Sequence, residues 1–326
     1  MIVHTPRQLL SALPHLIGFH PDNSIVIVAM DDDEILTIAR VNWASDQVHL
    51  PESLLAGLRQ VEKPAMVLVA YGDKEISLEQ LIDLVPQAKE FDVLDALWVR
   101  SRRWTSLMCD DVSCCPLEGN VLSDVTATDL EFMVAGSAPF ASREDLATRL
   151  ESIELDASQL KERDSAVEVM RDDFAAEIAK HTSKVSARGM YLDRLMQVWI
   201  SETDHDWQSH ALLVLVVSDI QMRDGFLRRM LDQPQLRLAI RTTLMHAVSQ
   251  AQQGSVAPLA TALAGCAWLD GNGALATVAL ERALAADSGY SLARLLERAI
   301  SHNVPPSVWT ESLEAVSYDE CLAGAA

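Results

Sequence analysis

Long apolar runs are missing from this sequence. Even Ala211–Val217 (ALLVLVV) falls far short of the roughly 20 residues that cross a bilayer. The opening MIVHTPRQLL also lacks the basic start and apolar core of a secretory signal. A cytoplasmic protein with no membrane association is therefore expected. Positive charge is scarce as well: 26 lysines and arginines stand against 47 acidic residues, for a net charge of −21. Broad nucleic-acid binding needs a basic surface to meet phosphates, and this balance argues against it. The cluster RSRR (Arg100–Arg103) is too short to change that, and the acidity itself reads as solubility. Five cysteines in 326 residues do not make a disulfide framework.

The usual catalytic signatures are absent too. Neither G-x-x-x-x-G-K-[ST] nor G-x-G-x-x-G follows a strand-like run, so the common phosphate cradles are missing. G-x-S-x-G and H-E-x-x-H do not occur. His205 and His210, five apart beside Asp204 and Asp206, do not share a helical face well.

What the chain does have is apolar material, 49% of residues, enough for two or three units in a chain of this length. The first third alternates strand and helix signals. Thr5 and Pro6 open a helix as cap and first residue. SIVIVAM (24–30) and ILTIARVNW (35–43), joined by DDDE, read as a hairpin. Leu54, Leu55, Leu58 and Val61 share a helix face, and AMVLVAYG (65–72) is a further buried strand. Ser77 and Gln80 stand at capping-box spacing before another helix. VLDALWV (93–99) and WTSLM (104–108) complete the strands, and SREDLATRLESIEL closes the unit. Continuous apolar strands alternating with helices predict an α/β sandwich with a mostly parallel sheet.

From about Ser158 every signal is helical, so an all-α, repeat-like part follows. One helix is expected to carry Val216, Ile220, Leu227 and Met230, after the polar break SETDHD (201–206). The segment 257–290 resembles a tetratricopeptide unit of about 34 residues. Ala264 lies at the close approach, Gly271 and Asn272 at the turn, and Ala276, Leu280 and Ala283 along the second helix. The expected organisation is an α/β domain over 1–155, a helical middle segment over 156–235 and a tetratricopeptide-like domain over 236–326.

Chemistry concentrates in RRWTSLMCDDVSCCPLEG (102–119). Cys109, Cys114 and Cys115 fall within seven positions. Three readings stay open: a packed corner, a metal site completed by distant ligands, or a reactive thiol with its pKa lowered by Arg102 and Arg103. No complete metal-ligand set is readable, since the histidines closest in sequence, His49 and His181, are far away along the chain. Arg102, Arg103, Trp104 and the three cysteines are the candidate ligand-binding residues, and no catalytic residue is assigned. Gly18, Pro21, Asp22 and Asn23 in GFHPDNS read as turn chemistry before a strand, with Phe19 a further structural motif position; the alternative is that His20 or Asp22 faces a ligand at a sheet edge. YGDKEIS (71–77) lies between a strand and a helix, where α/β sheets bind ligands, with one glycine as its support. Asp219 and Arg223, four apart with the acid first, suggest an ion pair with Asp224 beside it.

Four blocks in order carry a wider resemblance: LPHLIGFHPDNSIVIV (13–28), Arg102-Arg103-Trp104 followed by Cys114-Cys115-Pro116, SDIQMRD (218–224), and GNGALATVALERALAADSGYSLARLL (271–296). Together they resemble an uncharacterised family of actinobacterial proteins, also met in phages of those bacteria. Thr105 stands where a second aromatic is usual, and Ser288 where proline is usual. The family is a domain of unknown function, so the resemblance implies one architecture along the chain and supplies no reaction or cofactor. With catalytic motifs missing and a helical tail present, a non-enzymatic adaptor that binds another protein is expected. The rival is an enzyme or small-molecule sensor with its site at the carboxyl ends of the strands, near the arginines and cysteines.

Overall fold

Local chemistry sets where the first helix begins and ends. In this computed structural model, which describes residues 2–31, 34–42, 49–73, 75–123, 125–134, 137–180, 183–200, 206–302 and 304–324, α1 runs over Pro6–Ile17. The Thr5 hydroxyl accepts from the Gln8 amide at its start, and Gly18, at φ 91°, closes it by donating to the Pro14 carbonyl. Two compact units follow from the chain's own contacts, Met1–Arg143 and Glu144–Ala326.

The first unit is built on six strands: β1 (Ser24–Asp31), β2 (Glu34–Asn42), β3 (Pro64–Tyr71), β4 (Asp92–Arg100), β5 (Arg103–Ser106) and β6 (Asn120–Val121). Their order is β2-β1-β3-β4-β5-β6. The sheet is mixed rather than mostly parallel: β3 with β4 is the parallel pair, and the other four pairings are antiparallel. Two tight connections, between β1 and β2 and between β4 and β5, reverse the chain and force antiparallel neighbours. The chain then crosses from β2 over β1 and sets β3 on its far side, antiparallel to β1. Continuous apolar strands do not decide between parallel and antiparallel pairing. They are apolar because both faces are covered, and coverage does not depend on strand direction.

Alternation makes both faces apolar. Ile25, Ile27, Ala29, Met66, Leu68, Ala70, Ala96 and Trp98 pack with Leu54, Leu55 and Leu58 of α2 (Glu52–Leu58), and with Leu81 and Leu84 of α3 (Glu75–Leu84). The opposite set, including Val26, Val28, Val67, Val69, Leu97 and Val99, is equally buried. The expected capping box at Ser77 is not formed. α3 starts two residues earlier, and the Ser77 hydroxyl instead donates to the Gly72 carbonyl and accepts from Trp98 Nε1 at 2.9 Å. α4 (Ala127–Val134) packs on α1.

Among its described residues the second unit carries helices and no strand: α5 (Arg143–Thr148), which starts at the boundary, α6 (Ala157–Lys180), α7 (Lys184–Ile200), α8 (Trp207–Ser218), α9 (Ile220–Asp232), α10 (Arg237–Gln250), α11 (Gln253–Leu269), α12 (Gly273–Ala286), α13 (Ser291–Ser301), α14 (Pro306–Glu314) and α15 (Tyr318–Ala323). The single helix expected through Val216 and Met230 is two. Asp219 closes α8 in an extended conformation and caps α9 by accepting from the Met222 amide. An aspartate stops one helix and starts the next because its carboxylate competes for free amides. The helical hairpin expected over 257–290 is formed by α11 and α12, with Gly271 at φ 73° and Asn272 capping Leu275. Ala264, Ala276 and Ala283 are fully buried in this unit. α11 packs against α8, α9, α10, α12, α13 and α14, so its core runs across residue 235. The expected break at 201–205, with His205, and also His181, Asp32, Asp33 and Trp43, lie outside the described residues.

Candidate thiolate centre and the arginine turn

The cysteines that the spacing singled out do converge. One ligand atom each from Cys109, Cys114 and Cys115 lies within 4.8 Å of the other two, and all three are free thiols. They grade from buried (Cys115) through half-buried (Cys109) to exposed (Cys114). The backbone of the loop that carries them is organised by bonds from non-sulfur groups. The Asp111 carboxylate accepts from the Ser113 amide and hydroxyl at 2.8 and 2.7 Å. The Asp111 carbonyl accepts from both the Cys114 and Cys115 amides, and Asn120 Nδ2 donates to the Cys114 carbonyl at 2.9 Å. Gly119, at φ 79°, turns the chain back against the Trp104 carbonyl.

Electrostatically this is a crowded group. Burial pushes the Cys115 thiol up to about 11, with the neighbouring Cys109 and Cys114 adding to the rise and the Ser106 backbone amide opposing it. That environment does not make an activated nucleophile, because the thiolate is the reactive form. Cys266 and Cys321, in the helical unit, are also buried and raised, Cys266 to about 12.

Arg102 and Arg103 belong to the hairpin between β4 and β5. Ser101 and Arg102 sit at φ 43° and 62°, the paired positive values of a two-residue turn usually made by Asn-Gly. Asp73 holds the turn, its carboxylate accepting from the Ser101 amide and hydroxyl at 2.7 and 2.9 Å. The arginines therefore lie at the carboxyl end of β4, whereas Cys115 is held at Ser106, three residues or roughly 10 Å along β5. One bond links the two ends: Arg103 Nη1 donates to the Gly119 carbonyl at 2.8 Å. Non-glycine residues in left-handed geometry are strained by about 1–2 kcal/mol each. Arg102→Gly is accordingly expected to raise stability by about 0.5–1 kcal/mol, after the larger entropy that glycine loses on folding. A urea midpoint that falls instead would mean that the arginine side chain stabilises the turn by more than its backbone strains it.

Trp104 is buried, and its Nε1 has no hydrogen-bond partner; the same holds for the Tyr71 hydroxyl. The register places Tyr71 beside Val99 and Val99 beside Trp104, so both orphaned groups stand in one row on one sheet face.

Gly18 closes α1, Phe19 is buried under the Arg40 guanidinium at 5.2 Å, and His20 donates its amide to the Phe140 carbonyl. Pro21 is buried; Asp22 accepts from the Asn23 amide, leading into β1. Asp219 and Arg223 do not form the expected ion pair. Asp219 lies 3.3 Å from Arg188, while Arg223 bonds Asp224 at 2.7 Å and the Tyr290 hydroxyl at 3.1 Å. The capping geometry turns the aspartate away from its i+4 neighbour.

One polar cluster escaped the sequence reading. His15, its side chain 4% exposed, lies between the Ser137 hydroxyl (Nδ1, 3.1 Å) and Asp129 (Nε2, 3.3 Å) and stacks on Phe132. A serine and a carboxylate on opposite ring nitrogens is the connectivity of a nucleophile relay. Here the ring is enclosed, and the second Asp129 oxygen caps α4 by accepting from Thr126. The cluster clamps α1 to α4. Its one local signal was the T-x-x-D spacing at 126–129, because His15 joins it across more than a hundred positions.

Two compact units, a mixed sheet and a thiol cluster define an α/β protein fused to a helical one. The chain belongs to the family described as Domain of unknown function (DUF4192), which it matches over residues 6–307, across both units. Comparison with curated proteins and with solved structures finds no match.

Proposed function

We propose that the chain is a non-enzymatic protein-interaction adaptor and that its helical unit makes the contact. The observation that supports this is how the unit uses its arginines. Arg163 donates to the Gln250 carbonyl, Arg188 to Leu322, Arg237 to Met230 and Arg282 to Leu150, each at 2.8 to 3.0 Å. Arg223 reaches Tyr290, and Arg237 and Arg241 converge on Asp270. Charge that could do chemistry is committed to tying helix to helix, the build of a rigid scaffold. The hairpin of α11 and α12, with α13 against both, adds a tetratricopeptide-like stack of the kind that presents surface to partners. α13 turns Leu292, Ala293 and Leu296 inward and leaves Leu295 57% exposed.

Capture of the tagged full chain from its own cells should retain one protein in stoichiometric amount. Leu295→Asp should lower that retention at least tenfold, and Arg102→Gly should not change it. The reverse pattern would move the contact to the N-terminal unit.

A second reading, a small-molecule sensor at the carboxyl ends of β3 and β4, is favoured by the orphaned Tyr71 hydroxyl and Trp104 Nε1 in one row. Native mass spectrometry of gently purified protein distinguishes it, since a retained ligand adds its own mass.

A further inference from the structure

We propose that Cys109, Cys114 and Cys115 form a three-thiolate site for a single thiophilic d10 cation, with Zn2+ as the reference ion. The site lies in the N-terminal unit and does not depend on the adaptor reading. Its first support is geometric. Zinc–sulfur bonds of about 2.3 Å in tetrahedral array place sulfurs about 3.8 Å apart. The ligand atoms of the three cysteines already lie within 4.8 Å of one another. Small side-chain rotations bring them onto one ion.

The second support is the loop. A buried cysteine is common packing material, but Cys114 is exposed and fills no core. Its backbone is nevertheless fixed on both sides, by the Asp111 carbonyl at its amide and by Asn120 at its carbonyl. The same Asp111 carbonyl fixes Cys115. Backbone bonds thus hold the cysteine loop in place, with the Ser106 amide at the Cys115 thiol, and ordering the ligands in advance lowers the cost of binding.

Third is the ligand class. Three thiolates without a nitrogen or carboxylate in the described cluster select borderline and soft ions such as Zn2+ or Cu(I) over Mg2+ or Ca2+. On binding, three S–H bonds break, three sulfur–metal bonds form and three protons leave to solvent, so a Zn2+ centre carries a net charge of −1. Because each thiol must lose its proton to bind, uptake weakens as pH falls. Three protein ligands leave a fourth position for water or an external donor, and the exposed Cys114 marks the solvent side.

The test uses the reduced full chain, stripped of metal and given Co2+ and then Zn2+. One equivalent of Co2+ should produce a thiolate charge-transfer band in the near ultraviolet, and one equivalent of Zn2+ should remove it. Cys109→Ser and Cys114→Ser should each weaken Zn2+ at least tenfold against a chromogenic chelator, whereas Cys266→Ser and Cys321→Ser should not. Cys115 is buried, so its replacement risks the fold; Cys114 is exposed, and circular dichroism of its variant checks folding. Reduced, folded protein that gives no cobalt band and surrenders all Zn2+ to a micromolar chelator would overturn the site. Unchanged affinity in Cys114→Ser would overturn the three-thiolate form.

Discussion

Lowering the pH from 7 to 4 is expected to remove about 3 kcal/mol of stability through one side chain, His210. The residue sits on the first turn of α8, where its amide donates to the Asp206 carbonyl. Its ring is buried, meets the edge of Trp207 at 5.5 Å, and leaves Nε2 without a hydrogen bond. Burial pushes the imidazole down from 6.5 to about 4, and the Arg163 guanidinium pushes it the same way. Arg163 cannot turn aside, because it is held by the Gln250 carbonyl and Asp164. The fold therefore keeps this histidine neutral. Its contribution is fully present above the unfolded value near 6.5 and is lost as pH falls towards 4, because only the unfolded chain takes up the proton in that window. His20 is displaced in the same direction, first by burial. The carboxylates of Asp206, bonded by Ser209, and Asp164, bonded by Gln252 and Arg163, are held below their usual range, so their losses come at lower pH. Urea unfolding of the wild-type chain at pH 7, 6, 5 and 4.5 should show the decline, and His210→Leu should flatten most of it. Parallel loss in both proteins would mean that the ring is solvated in the folded state.

That prediction was not readable from the chain. His210 drew notice only as one of two histidines five apart, and its burial depends on the helices that pack on α8, α6 and α11 among them. Features with local causes were legible: Thr5 and Pro6 start α1, and Gly18, met as turn chemistry, ends it. Asp31 and Glu34 close the first hairpin. Features that depend on competition between partners were not. Ser77 carried the right spacing for a cap but gave its hydroxyl to Gly72 and Trp98, which arrive from β3 and β4. Asp219 had the right neighbour at i+4, yet capping three residues on, with Arg188 from α7, took its carboxylate. At the candidate site the spacing of the cysteines was visible and their convergence was not. The turn that folds Cys109 onto Cys114 and Cys115 is made by Asp111, Ser113 and Asn120, whose role as backbone anchors their spacing does not announce. The arginines stand at the start of β5 and the Cys115 thiol at its far end, beside the Ser106 amide, an arrangement that spacing alone does not give.

Gly119→Ala is expected to destabilise the N-terminal unit by about 2–3 kcal/mol, from a left-handed backbone position and close contact together. Glycine is needed here for two reasons. Its φ is 79°, and an added Cβ would stand 3.0 Å from Thr105 Oγ1 and 3.1 Å from the Trp104 carbonyl oxygen. That carbonyl belongs to a strand paired on both sides, with Val99 and with Asn120, so it cannot retreat. The chain at residue 119 must move instead, and three bonds move with it: the Gly119 amide to Pro116, its carbonyl to Arg103, and, one residue on, Asn120 to the Cys114 carbonyl. The last of these orders the cysteine loop. The substitution should therefore weaken Zn2+ at least tenfold although it touches no sulfur. Gly57→Ala is the matched control: it lies in α2 with nothing within 4 Å of the added carbon, and should stabilise by up to about 1 kcal/mol through helix propensity. Loss of stability with retained Zn2+ affinity would show that the sulfurs find the ion without the loop's help. Loss of both, with Gly57→Ala unaffected, would place the organisation of the thiolates in the backbone between Asp111 and Asn120.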